Sequence, residues 1–133
     1  MKKLLLICSL FLSTSAFAGG VMQFTEDGFK QLQQQNAEIL IDVYATWCPT
    51  CRKQGKVIKA FFKEHPESEL TVLKVDYDKQ KEWVKHFKAF RQSTLIRYKG
   101  DKEIGRKIAE TDQGKLFNLF TMKARAFNIL CQA

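Results

Sequence analysis

From Ile39 to Ala45 the chain reads Ile-Leu-Ile-Asp-Val-Tyr-Ala, apolar on both alternating faces apart from one acid. Such a strand can leave neither face in water, so it predicts the centre of a sheet covered by helices on both sides. That requirement confines the chain to layered α/β architectures. The acid, Asp42, is the anomaly. Desolvation raises the pKa of a carboxyl group among apolar strand neighbours and brings it towards the range of a general base.

The flanking segments supply the layers. After a short stretch at Val21 to Phe24, Thr25 offers an N-cap and Glu26 and Asp27 favour a first turn, which predicts a helix over about 26–35. Val57, Ile58, Phe61 and Phe62 recur at helical spacing from Pro49 to about Glu64, and Pro66 stops the run. Leu70 to Val75 reads as the next strand, and Trp83, Val84, Phe87 and Phe90 mark an amphipathic helix over about 79–90. Thr94 to Tyr98 and Lys102 to Ile108 form an antiparallel pair around the turn Lys99-Gly100-Asp101. Phe117, Phe120, Ala124, Phe127 and Cys131 make one apolar stripe on a final helix over about 112–130. The order is βαβαβαββα in one domain, which 133 residues can supply with a single core.

The N-terminus belongs to a different class of segment. Met1-Lys2-Lys3 precedes an apolar run from Leu4 to Leu12 and then Ser-Thr-Ser-Ala-Phe-Ala, the pattern of a secretory signal peptide over residues 1–18 cleaved after Ala18. The run is shorter than the roughly 20 residues of a membrane-spanning helix. The expectation is an exported, periplasmic protein whose mature domain covers residues 19–133. Losing Lys2 and Lys3 leaves 20 basic and 14 acidic residues. Those cations are interleaved with acids and core residues, as on solvated helix faces, so no nucleic-acid partner is expected.

The segment Trp47-Cys48-Pro49-Thr50-Cys51 joins the C-terminal end of the central strand to the next helix, where open α/β sheets present their reactive groups. Two cysteines at this spacing can close a small disulfide ring, and Pro49 suits the first helical position because it lacks an N–H. Cys48 falls at the N-cap, where free backbone N–H groups and the helix dipole favour thiolate. Cys48 is therefore expected to be partly exposed and nucleophilic. Cys51, one turn inside, is expected to be largely buried and to resolve a mixed disulfide.

These residues, with the strands Ile39 to Ala45 and Leu70 to Asp76 and the segment Phe90-Arg91-Gln92-Ser93-Thr94-Leu95, resemble the thioredoxin superfamily. The resemblance implies a thioredoxin fold, a central mixed sheet flanked by helices on both faces. It also implies a thiol:disulfide oxidoreductase that needs no bound cofactor. Its partners would be cysteine-containing exported proteins and a membrane-bound electron donor or acceptor. By the same resemblance Asp42 is the buried acid/base that serves Cys51, with Lys74 as its modulator. Trp47, Pro49, Thr50, Ser93 and Thr94 form the motif and substrate-contact set.

The chain departs from the family pattern in three places. Pro49-Thr50 replaces the usual Gly-Pro, Lys56 stands where a helix-kinking proline is common, and Ser93 stands where the family keeps a cis-proline. A cis bond before a non-proline residue costs about 2.5–4 kcal/mol, so a trans Gln92–Ser93 bond is expected, with the Ser93 hydroxyl facing the cysteines. Thr50 adds no positive charge beside Cys51, which favours a reductant over an oxidant. Once Cys8 is removed, Cys131 is left over, either as a buried thiol on the final stripe, consistent with a monomer, or as a thiol that pairs with another chain. A metal site at Cys48 and Cys51 would need two further ligands from His65, His86 and Cys131, and no second pair has ligand spacing. The alternative is a non-catalytic binding module for a partner protein or a thiophilic metal.

Overall fold

The computed structural model describes residues 19–124. The proposed signal segment and Cys131 lie outside them. The elements are β1 (Gly20–Gln23), α1 (Glu26–Gln34), β2 (Glu38–Tyr44), α2 (Pro49–Glu64), β3 (Thr71–Asp76), α3 (Lys81–His86), β4 (Thr94–Lys99), β5 (Lys102–Ile108) and α4 (Gln113–Thr121). They follow the predicted order. The five strands form one mixed sheet, β1-β3-β2-β4-β5, parallel from β1 to β2 and antiparallel from β2 to β5.

The two-sided apolar strand is central, and its alternation sorts the core. Ile39, Ile41 and Val43 face one cluster with Phe24, Phe29 and Phe87. Leu40 faces the other, with Ile58 and Phe61 of α2 and Leu116, Leu119 and Phe120 of α4. Asp42, two residues from Leu40, shares the α2 side by the period of a strand.

Two helices stop earlier than their apolar spacing predicts. In α3, Lys88 takes φ +50°, and the N–H groups of Lys88 and Ala89 donate back to the carbonyls of Lys85 and Val84. This is a Schellman ending. It turns the chain before Phe90, which is left 86% exposed rather than buried. The predicted continuation of α4 also fails: residues 122–124 are not helical. Buried Arg97 of β4 reaches this end and donates to the carbonyls of Phe120 (3.2 Å) and Met122 (3.4 Å). These are acceptors that another helical turn would have used. The remainder of that predicted helix lies outside the described residues.

Candidate active site

The site forms where β2 ends and α2 begins. Cys48 is the N-cap of α2 in extended conformation, Pro49 opens the helix, and the Cys51 N–H donates to Cys48 Sγ at 3.1 Å. The two cysteines are joined as a disulfide with Cα atoms 5.3 Å apart. The expected difference in exposure is not found, because Cys48 is 2% exposed and Cys51 8%. The helix end alone would leave Cys48 open. However, Ala45 and Tyr77 pack against it, and the loop before β4 lies over its sulfur.

Ser93 belongs to that loop. Its peptide bond is trans, as expected, and its hydroxyl oxygen lies 3.1 Å from Cys48 Sγ and 3.2 Å from Cys51 Sγ. Its φ of +63°, a left-handed conformation unusual outside glycine, was not anticipated. Such a conformation costs of order 1–3 kcal/mol and survives where the surroundings over-determine it. Three contacts hold it here: Ser93 N–H donates to the Val43 carbonyl (2.9 Å), and Ser93 C=O accepts from Ala109 N–H (2.9 Å) and from Gln54 Nε2 (3.1 Å). Proline, fixed near φ −65° and without an N–H, fits neither this φ nor the bond to Val43.

Gln54 is the residue that sequence reasoning missed. It is fully buried, and its amide also donates to the Glu110 carbonyl at 3.0 Å, tying the Ser93 loop to the segment after β5. Its Oε1 has no hydrogen-bond partner among the described residues. The available signal was its position three residues after Cys51 and four before Ile58, on the buried stripe of α2.

Asp42 is 4% exposed, and burial raises its pKa to about 6, with the Lys74 charge acting against the rise. Asp42 and Lys74 are register partners across β2 and β3, and Lys74 Nζ lies over the Tyr44 ring, 4.2 Å from its centre. Both line a cleft of about 590 Å³ together with Gly55, Ile58 and Phe62 of α2. The cleft therefore borders the buried acid on the α2 side of the sheet.

The remaining motif residues divide by exposure. Trp47 is 56% exposed and its indole N–H donates to Asp78 at 2.8 Å, Pro49 is exposed and Thr50 is half-buried. Thr94 is fully buried and donates to the Arg91 carbonyl at 2.7 Å, so it shapes the loop and has no surface for a partner. Lys56 is exposed on an unbroken α2. Among the described residues, no group of three or more His, Cys, Asp or Glu side chains converges, and no helix is long and apolar enough to cross a membrane. The arrangement is a dithiol/disulfide pair with a hydroxyl against both sulfurs and a buried acid on the same side of the sheet.

The thioredoxin family model matches residues 20–122. A thioredoxin from Alicyclobacillus acidocaldarius is 31% identical over 83 residues, covering 62% of this chain and 78% of that protein. The crystal structure of Trxlp from Edwardsiella tarda EIB202 is 36% identical with a TM-score of 0.73, over 77% of this chain and all of that one. The thioredoxin of Malassezia sympodialis is 26% identical with a TM-score of 0.65, over 76% of this chain and 88% of that one.

Proposed function

The chain belongs to the thioredoxin family and is a thiol:disulfide oxidoreductase, and from that premise we propose that it is an exported, periplasmic reductant of other exported proteins. The observation that carries the reading is the Cys48–Cys51 disulfide at the N-terminus of α2. In the reduced protein Cys48 is the nucleophile, its thiolate favoured by the Cys51 N–H, the Ser93 hydroxyl and the helix dipole. It attacks one sulfur of a partner disulfide, and the other partner sulfur leaves as thiolate. Asp42, ionised near neutral pH, takes the Cys51 proton. Cys51 then attacks Cys48 Sγ, reforming the protein disulfide and releasing the reduced partner.

Two electrons pass from the cysteine pair to the partner, so no bound cofactor is required. Trp47, Pro49 and Thr50 form the rim that a partner meets, and Lys74 moderates Asp42. A membrane-bound donor would restore the dithiol. Export rests on the pattern of residues 1–18, and N-terminal sequencing of the periplasmic fraction should return Gly19 first. Thr50 before Cys51 supports the reducing direction, so the potential should lie nearer about −270 mV than about −120 mV.

Insulin reduction driven by dithiothreitol tests the activity. Cys48→Ser should abolish it, whereas Cys51→Ser should accumulate a mixed disulfide through Cys48. Equal trapping through either cysteine would defeat this division of roles.

A further inference from the structure

The surface beside the disulfide continues into a second feature. Tyr77, which packs against Ala45, Cys48 and Cys51, also donates its hydroxyl to the Phe90 carbonyl at 3.4 Å. Beyond it lies a groove of about 250 Å³ lined by Tyr77, Lys81, Val84, Lys85, Ala89 and Phe90. The exposed Phe90 ring forms one apolar edge, and Lys81 Nζ sits 5.5 Å from the centre of the Tyr77 ring.

Charge distinguishes this groove. Residues 79–91 carry Lys79, Lys81, Lys85, Lys88 and Arg91 against Glu82 alone. None of these five cations has a carboxylate within ion-pair distance among the described residues. Apart from Glu82, the nearest acids in sequence are Asp76 and Asp78, and each bonds to a backbone or indole N–H rather than to a lysine ammonium. Asp76 accepts from the N–H groups of Asp78 and Lys79, and Asp78 accepts from Trp47. What remains is an apolar slot whose two lining lysines, Lys81 and Lys85, carry no ion pair among the described residues, reaching the disulfide cluster through Tyr77.

We propose that this groove docks the polypeptide carrying the reacting cysteine, and that the segment it takes is acidic with an apolar side chain close to that cysteine. The proposal rests on the exchange activity above and names its substrate class. Complementary charge steers encounter, and the apolar slot holds the segment while sulfur exchange proceeds.

Two synthetic peptides test it, each with one phenylalanine and one cysteine held as a mixed disulfide with thionitrobenzoate, flanked by glutamates in one and lysines in the other. The reduced protein transfers two electrons to each, releasing thionitrobenzoate thiolate as the Cys48–peptide disulfide forms, and then peptide thiol as Cys51 closes the ring. The acidic peptide should react about tenfold faster at low ionic strength, and salt should shrink the difference. Lys81→Glu with Lys85→Glu should reverse the order, and Phe90→Ser should slow both peptides alike. The uncharged hydroxyethyl disulfide should react at one rate with all these proteins, confirming that they are folded. Equal rates for the two peptides, a preference that survives the double charge reversal, or no effect of Phe90→Ser would overturn the proposal. Self-association abolished by Phe90→Ser would assign the groove to a second copy and overturn it equally. Failure to reduce hydroxyethyl disulfide would count against the exchange activity itself. Peptide affinities read from isothermal titration calorimetry would still decide the groove, with the same ordering expected.

Discussion

Ser93 Oγ lies 3.1 Å from Cys48 Sγ, on a residue whose backbone is held in a left-handed conformation by three hydrogen bonds. A hydrogen bond to a charged group contributes about 1.5–3 kcal/mol, which corresponds to about one to two pH units in a pKa. Ser93→Ala should therefore raise the Cys48 thiol pKa by about that much, read from the pH dependence of alkylation in the reduced protein. An unchanged profile would leave the hydroxyl without a part in thiolate stabilisation.

Burial raises the Asp42 pKa from an ordinary 3.8 to about 6. Between those values the folded state binds more protons than the unfolded one, so stability falls as pH rises through that window and stays lowered above it. Asp42→Asn should remove this loss, stabilising the protein by about 2–3 kcal/mol at pH 8 and little at pH 4. Urea unfolding at the two pH values reads the difference. The same variant should slow disulfide exchange above pH 6, where the native carboxylate is ionised and able to take the Cys51 proton. Equal stabilisation at both pH values would point to packing rather than ionisation.

What was legible in the sequence was local chemistry. The two-sided apolar strand specified the sheet centre, its lone acid announced Asp42, and the Cys-Pro-Thr-Cys spacing located the disulfide. What was not legible depends on partners distant in the chain. The conformation of Ser93 is imposed by Val43, Gln54 and Ala109, and the burial of Cys48 by Tyr77 and the Ser93 loop. Periodicity misled at Phe90, where apolar spacing continued past a helix that the backbone of Lys88 had already ended.

Arg97 is 2% exposed, ion-paired with Glu38, and bonded to the carbonyls of Phe120 and Met122. Arg97→Met keeps an apolar stem but removes a donor from the carbonyls of Ile39, Tyr98, Phe120 and Met122, and leaves the half-buried Glu38 carboxylate paired with Lys99 alone. Removing one member of a buried ion pair costs about 3–5 kcal/mol, and the partial exposure of Glu38 places the expectation near the lower end. Equilibrium unfolding should show that loss. Glu38→Gln with Arg97→Met should recover little of it, because the Glu38 carboxylate still has Lys99 at 3.0 Å when Arg97 is gone.

Gln54 tests whether the Ser93 loop is positioned or merely packed. Its amide holds the carbonyls of Ser93 and Glu110, while its own Oε1 goes unpaired. Gln54→Met preserves volume, removes two donors and also removes the orphaned acceptor. The opposing effects, each about 1 kcal/mol, should leave stability within about 1–2 kcal/mol of the original. The loop, however, loses one of the three bonds that hold Ser93 in its strained conformation, so the hydroxyl should leave the sulfurs. The Cys48 pKa should then rise as in Ser93→Ala. In the double variant it should rise no further, because both changes remove the same contact and coupled positions do not add. Full additivity of the two shifts would mean that Gln54 acts on Cys48 by some route other than Ser93. No shift in Gln54→Met alone would mean that Val43 and Ala109 suffice to hold the loop.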